Sequence, residues 1–95
     1  MKLVYRIEVK RKNENEFLVT VEEDSSSTTH VVALDGEYYR KLTQEKITKE
    51  ELIKRSFEFL LKREGKESIL SRFNLKVINR YFPEYESEIT KDIEK

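Results

Sequence analysis

Apolar and polar residues alternate from the start of the chain: Leu3, Tyr5, Ile7 and Val9 interleave with Val4, Arg6, Glu8 and Lys10. A period of two sends one set to a buried sheet face and the other to solvent, so the segment reads as a half-buried strand over about 2–12. Phe17, Val19 and Val21 repeat the pattern in a second strand over about 16–23. Both inward sets are odd-numbered, so the antiparallel register must pair odd with odd. A three-residue loop, Asn13-Glu14-Asn15, does this by setting Lys12 opposite Glu16, with Asn15 left-handed. Arg6 then faces Glu22, and Glu8 faces Thr20.

A third strand covers about 27–34, where Thr29, Val31 and Ala33 compete with His30, Val32 and Leu34 for the inward face. The second set is larger and more apolar and is assigned inward. That requires odd-to-even pairing with the second strand. A four-residue loop, Asp24-Ser25-Ser26-Ser27, supplies it with Glu23 opposite Thr28. The expected sheet is a three-stranded antiparallel meander.

The period then changes. Asp35 is a helix N-cap, and a helix over about 36–42 puts Tyr38 and Leu42 on the side of Leu34. Thr48 with Glu51 has the spacing of a capping box, opening a main helix over about 49–64. Its stripe of Leu52, Ile53, Ser56, Phe57, Leu60 and Leu61 is wide enough to lie on a sheet. Phe59 falls off that stripe and needs a neighbour among later helices. Gly65 is the expected C-cap. Short helices follow over about 67–72 and 75–82, the second capped by Asn74 and ended by Pro83. A last helix over about 84–93 carries Tyr85 and Ile89, docks loosely and frays at 91–95. The fold class is α+β, one domain over 1–95, with the helices on one sheet face.

The residues His30 to Asp35, Tyr38-Tyr39, Glu51-Leu52-Ile53, Ser56 to Leu61 and Phe73 to Glu86 together resemble a family of small prokaryotic proteins with no assigned activity. The resemblance spans nearly the whole chain. It implies a stand-alone bacterial or archaeal cytoplasmic domain and carries over no catalytic or binding residue.

Composition changes the picture mainly by exclusion. Lys+Arg and Asp+Glu number 19 each, so the chain has no overall basic excess of the kind nucleic-acid binders show. The balance is uneven: 62–82 holds six basic and two acidic residues, and 83–95 holds two basic and five acidic. With no cysteine there is no disulfide, thiolate metal site or cysteine nucleophile. No apolar run approaches the roughly 20 residues of a membrane span. The start of the chain reads as a strand and not as a signal peptide, so the expected setting is cytoplasmic. Abundant Lys, Glu and Arg with few glycines suits a thermophile.

Candidate chemistry is sparse. His30 is the sole histidine and lacks the partners of a base or ligand. Glu22, Glu23 and Asp24 form an acidic turn without calcium-loop spacing. There is no glycine-rich phosphate loop and no nucleophile elbow. No cofactor or metal is expected, and an enzyme is not the expected outcome; acid–base work by carboxylates and tyrosines is the residual route.

Two binding surfaces remain. The helix after Asn74 turns Lys76, Asn79 and Arg80 outward, opposite Leu75, Ile78 and Phe82. With Arg72, and read as the second helix of a helix–turn–helix, it would suit phosphate and base contacts. Tyr39, beside an inward residue, is the tyrosine expected to be exposed, and His30 sits at the rim. On the outer sheet face, Val4, Leu18 and Val31 with Ala33 form a small apolar patch suited to self-association, as do the edge strands. The expectation is a non-catalytic protein-interaction module, homodimeric through that face or an edge, with nucleic-acid binding as the alternative.

Overall fold

A computed structural model describes residues 5–94. Three strands, β1 (Tyr5–Arg11), β2 (Glu16–Glu23) and β3 (Ser26–Ala33), form the antiparallel meander. Residues 2–4 of the expected first strand, Val4 among them, lie outside the described residues. The register of β1 on β2 is the expected one, with Arg6 opposite Glu22 and Glu8 opposite Thr20. The loop reaches it differently. Asn15 has no left-handed backbone; its N–H donates to Asn13 Oδ1 at 3.0 Å, and Lys12 and Asn13 both donate to Glu16 O.

The β2–β3 turn is tighter than expected. Glu23 pairs with Ser26 around a two-residue turn, Asp24-Ser25, with Asp24 left-handed at φ 53°. Aspartate tolerates that conformation, which two-residue hairpins favour. The register is displaced by two residues from Glu23 opposite Thr28. A two-residue slip preserves side-chain parity, so His30, Val32 and Leu34 still face inward and are buried.

A fourth strand corrects the expected meander. β4 (Arg72–Asn74) pairs parallel with β3, placing Val32 beside Phe73. The sheet order is β1-β2-β3-β4. The helix expected over 67–72 is only a 3-10 turn at Lys66–Ser68. The helix–turn–helix reading, which needed that helix, falls with it. Gly65 is also not a left-handed C-cap: its φ is −73°, and it precedes the 3-10 turn.

The helices lie on the inward face. α1 (Gly36–Thr43) starts at Asp35, whose Oδ1 accepts from Tyr38 N at 2.8 Å. α2 (Lys49–Leu61) starts at Thr48, which accepts from Glu51 N at 3.0 Å. The Glu51 carboxylate does not complete a capping box. It pairs with Arg55 at 2.9 Å, one turn on. A 3-10 turn at Leu75–Val77 runs into α3 (Ile78–Tyr81), and α4 (Tyr85–Glu94) follows Pro83.

α2 presents Leu52, Ile53, Phe57 and Leu60 to Phe17, Val19 and Val21 of β2 and Val32 of β3, all in one buried cluster. Phe59 finds its neighbours where the stripe required them. It meets Phe82 and Tyr85 edge-on at 6.0 and 5.2 Å, and the Arg63 guanidinium lies 3.6 Å over its ring. α4 docks firmly, not loosely, through buried Tyr85, Ile89 and Ile93, and residues 91–94 are helical.

Ser56, a polar residue in the apolar stripe, is explained by Tyr85. Ser56 donates to Leu52 O at 2.8 Å, which leaves its oxygen to accept from the Tyr85 hydroxyl at 2.6 Å. Both side chains are fully buried, and burial pushes the Tyr85 hydroxyl well above the ordinary tyrosine range, so it stays a donor. We predict that Tyr85→Phe lowers stability by about 1 kcal/mol, the usual net value of such a bond. Urea denaturation of the two proteins measures it; an unchanged midpoint would show that the Ser56 contact contributes nothing.

Candidate functional site

Two large apolar side chains are exposed among the described residues, Leu70 at 49% and Tyr81 at 67%. Both stand on the rim of one open groove of about 310 Å³. Leu60, Ile69, Phe73 and Ile78 form its floor, Val77 and Phe82 line the α3 side, and Glu64 and Ser68 are its polar residues. Its volume lies at the low end of ligand pockets, roughly 300–1,000 Å³, and suits a few apolar side chains.

The walls are fixed from behind. On one side, Leu70 follows the 3-10 turn and enters β4 through Ser71, whose carbonyl accepts from Val31 N at 2.8 Å. His30 reaches across from β3: its Nδ1 lies 2.8 Å from Leu70 O and its Nε2 2.9 Å from Thr28 Oγ1. A carbonyl only accepts, so Nδ1 carries the hydrogen. The ring is 2% exposed and tilts against Phe57 at 5.4 Å. His30 is therefore a buried strut behind the groove and not a rim residue.

On the other side, Asn74 Oδ1 accepts from Lys76 N at 3.2 Å and starts the helical segment. Asn79 Oδ1 accepts from Glu86 N at 3.2 Å and ties that segment to the first turn of α4. Asn79 thus has its carbonyl committed within the fold. Lys76 and Arg80 lie on the segment that also carries Val77 and Tyr81, and both are exposed.

The basic stretch 62–82 loses much of its apparent charge to ion pairs. Arg63 bonds Glu84 at 3.1 Å and Glu88 at 3.0 Å, and Lys66 bonds Glu67 at 2.7 Å and Glu23 at 3.2 Å. The Lys66 ammonium is buried at 2% exposure, and its bond to Glu67 holds it above the ordinary lysine range. Glu23, read as part of a solvated acidic turn, is its second partner. Arg72 lies 3.5 Å from Glu16 on the outer sheet face. Of the six cations, Lys62, Lys76 and Arg80 have no ion-pair partner among the described residues.

Tyr39 is half-buried and donates to Ile47 O at 2.6 Å; Tyr81 is the exposed tyrosine. Nothing in the sequence distinguished them except that Tyr81 lies one turn beyond Val77, on a second apolar stripe beside that of Leu75, Ile78 and Phe82. Tyr38 is also inward, its hydroxyl raised by burial and bonded to Glu86 at 2.8 Å.

The outer sheet face is mostly polar. Leu18 and Val31 sit side by side in one cross-strand row, but Lys10 and Arg72 close that row at either end. Leu18, Val31 and Ala33 are already half-buried. Comparison with protein families, curated proteins and solved structures returns no match. Among the described residues no group of three or more His, Cys, Asp and Glu side chains is placed to hold a metal, and no helix is long and apolar enough to cross a membrane.

We predict that His30→Ala costs about 2–4 kcal/mol, from the cavity beside Phe57 and the lost bond to Leu70 O. It also speeds hydrogen exchange of the Val31 amide, which is held by Ser71, relative to the amides that join β1 and β2. Equal acceleration across the whole sheet would mean that His30 stabilises the fold generally and does not strap the groove wall.

Proposed function

We propose that this chain is a non-catalytic protein-interaction module whose docking surface is the Leu70–Tyr81 groove. The observation that carries the reading is that the two large apolar side chains exposed among the described residues flank a single cleft. Isolated surface hydrophobics are ordinary, whereas two framing one apolar floor mark a binding groove. The struts behind it, His30, Asn74 and Asn79, hold the walls in place before any partner arrives, which lowers the ordering cost of binding.

The occupant is a peptide segment with apolar anchors and acidic flanks. An apolar floor takes aliphatic or aromatic side chains, and a cofactor would find few polar groups to orient it. Lys76 and Arg80, exposed and without ion-pair partners among the described residues, lie on the segment that carries the lining residues Val77 and Tyr81 and supply attraction for acids.

Nucleic-acid binding is the second reading, favoured by the three cations of 62–82 that have no ion-pair partner among the described residues. Pairing of Arg63, Lys66 and Arg72 within the fold leaves it few phosphate contacts. Its salt dependence would be correspondingly shallow, at a log–log slope of about −0.9 for each contact on duplex DNA.

A random peptide library panned on the immobilised protein tests the first reading. The expected consensus has two apolar anchors and neighbouring Asp or Glu. Leu70→Asp and Tyr81→Ala should each weaken a consensus peptide by about 2 kcal/mol, roughly 30-fold, the scale of an interface anchor. Leu18→Asp, on the sheet face, should leave it unchanged. A selection without consensus, or a peptide indifferent to both groove variants, would overturn the assignment.

A further inference from the structure

The outer edge of β1 is free among the described residues: β1 is the terminal strand in the sheet order, and no backbone bond leaves it on that side. Lys12 N donates to Glu16 O across the β1–β2 ladder. Hydrogen-bonding direction alternates along a strand, so the even residues of β1 face β2. The N–H and C=O groups of Tyr5, Ile7 and Val9 therefore point outward from the edge. The side chains of these three residues are only partly buried, packing on the rim of the core.

We propose that β1 is a homodimerisation edge, pairing antiparallel with β1 of a second copy in a register centred on Ile7. This goes beyond the groove reading and does not depend on it. The occupant follows from charge. On the solvent face β1 carries Arg6, Glu8 and Lys10 in alternating sign. Centring on Ile7 puts Arg6 opposite Glu8 of the second copy, and by symmetry Glu8 opposite its Arg6. On the core side, Ile7 meets Ile7, and each Tyr5 meets a Val9, an aromatic–β-branched pair of the kind that stabilises sheets. Tyr5, Ile7 and Val9 bond in the narrow ladder positions. A slip of two, centring on Glu8, would put Glu8 against Glu8 and Arg6 against Lys10, so the sequence selects one register over its neighbour. Among the described residues, Glu8 has only a loose contact with Lys10 at 3.7 Å, with both side chains well exposed. The product is one continuous eight-stranded sheet that leaves both grooves open.

Sedimentation velocity from micromolar to millimolar protein tests the pairing with two charge variants. Arg6→Glu leaves two acids on each edge, and Glu8→Arg leaves three bases, Arg6 and Lys10 among them. Each alone should dimerise at least roughly tenfold more weakly than the native chain, because both symmetric contacts turn repulsive. Mixed one to one, Arg6→Glu and Glu8→Arg should recover the native dimer mass, since every contact between them is complementary. Leu70→Asp, in the groove, should leave the dimer intact, so the two readings fail separately. Melting curves followed by circular dichroism confirm that each variant is folded. Should either lose its fold, hydrogen exchange of the native protein decides: the outward Ile7 amide should gain protection as concentration rises. A native chain monomeric at millimolar concentration, a dimer indifferent to both single variants, a mixture that stays monomeric, or an Ile7 amide unprotected at high concentration would each overturn the proposal.

Discussion

The return of the chain from its helices to the sheet depends on one buried imidazole. β4 is three residues long and pairs with β3 over Val31 to Ala33. So short a strand contributes few ladder bonds of its own. His30 adds a bond to Leu70 O just before that strand and fills the space against Phe57. Everything after it, from the β4 register to the start of the helical segment at Asn74, is positioned relative to that strap. A histidine suits the place because it offers a donor and an acceptor on opposite sides of a flat, largely apolar ring. Nδ1 meets the crossover backbone and Nε2 meets Thr28 on its own strand.

The meander and the first two helices were legible because their signals are periodic or carry a clear cap. Period two gave β1, β2 and the inward face of β3; the caps Asp35 and Thr48 gave the starts of α1 and α2. What escaped was short or tertiary. Arg72-Phe73-Asn74 is too brief for alternation to show, and Asn74 looked only like a cap when it both ends a strand and caps a helix. The β2–β3 turn was off by two residues because parity alone cannot separate registers that differ by an even step. Ser56 lay plainly on the apolar stripe, but its partner Tyr85 is distant in sequence. The site was half legible. Lys76 and Arg80 were found as outward residues of their helix, whereas the groove that Val77 and Tyr81 of the same segment line arises only when the segment around Leu70 is folded against α3.

Local net charge proved a poor guide to surface charge. The stretch 62–82 is basic and 83–95 acidic, and the two segments neutralise one another by contact: Arg63 of the first holds Glu84 and Glu88 of the second. Exposed pairs of this kind contribute little to stability individually. Their effect here is to spend the charge inside the molecule, so that a cation counted in the sequence is not a cation offered to a partner. The Glu84 carboxyl, held below the ordinary carboxylate range chiefly by its own backbone N–H and then by Arg63, belongs to the same arrangement.

The crossover between β3 and β4 also sets an order of assembly. Val31 and Arg72 are neighbours across the ladder but lie far apart along the chain. Contacts that close a long loop form late in folding, while the hairpins of β1, β2 and β3 are local and form early. The same inequality runs in reverse during thermal fluctuation. The strand with the fewest bonds and the longest return is the natural first unit to open, and it takes the Leu70 wall with it. The molecule would then divide into an enduring three-stranded frame and a shorter-lived closing segment. Because the groove belongs to the closing segment, anything that occupies it would lengthen the lifetime of the completed fold.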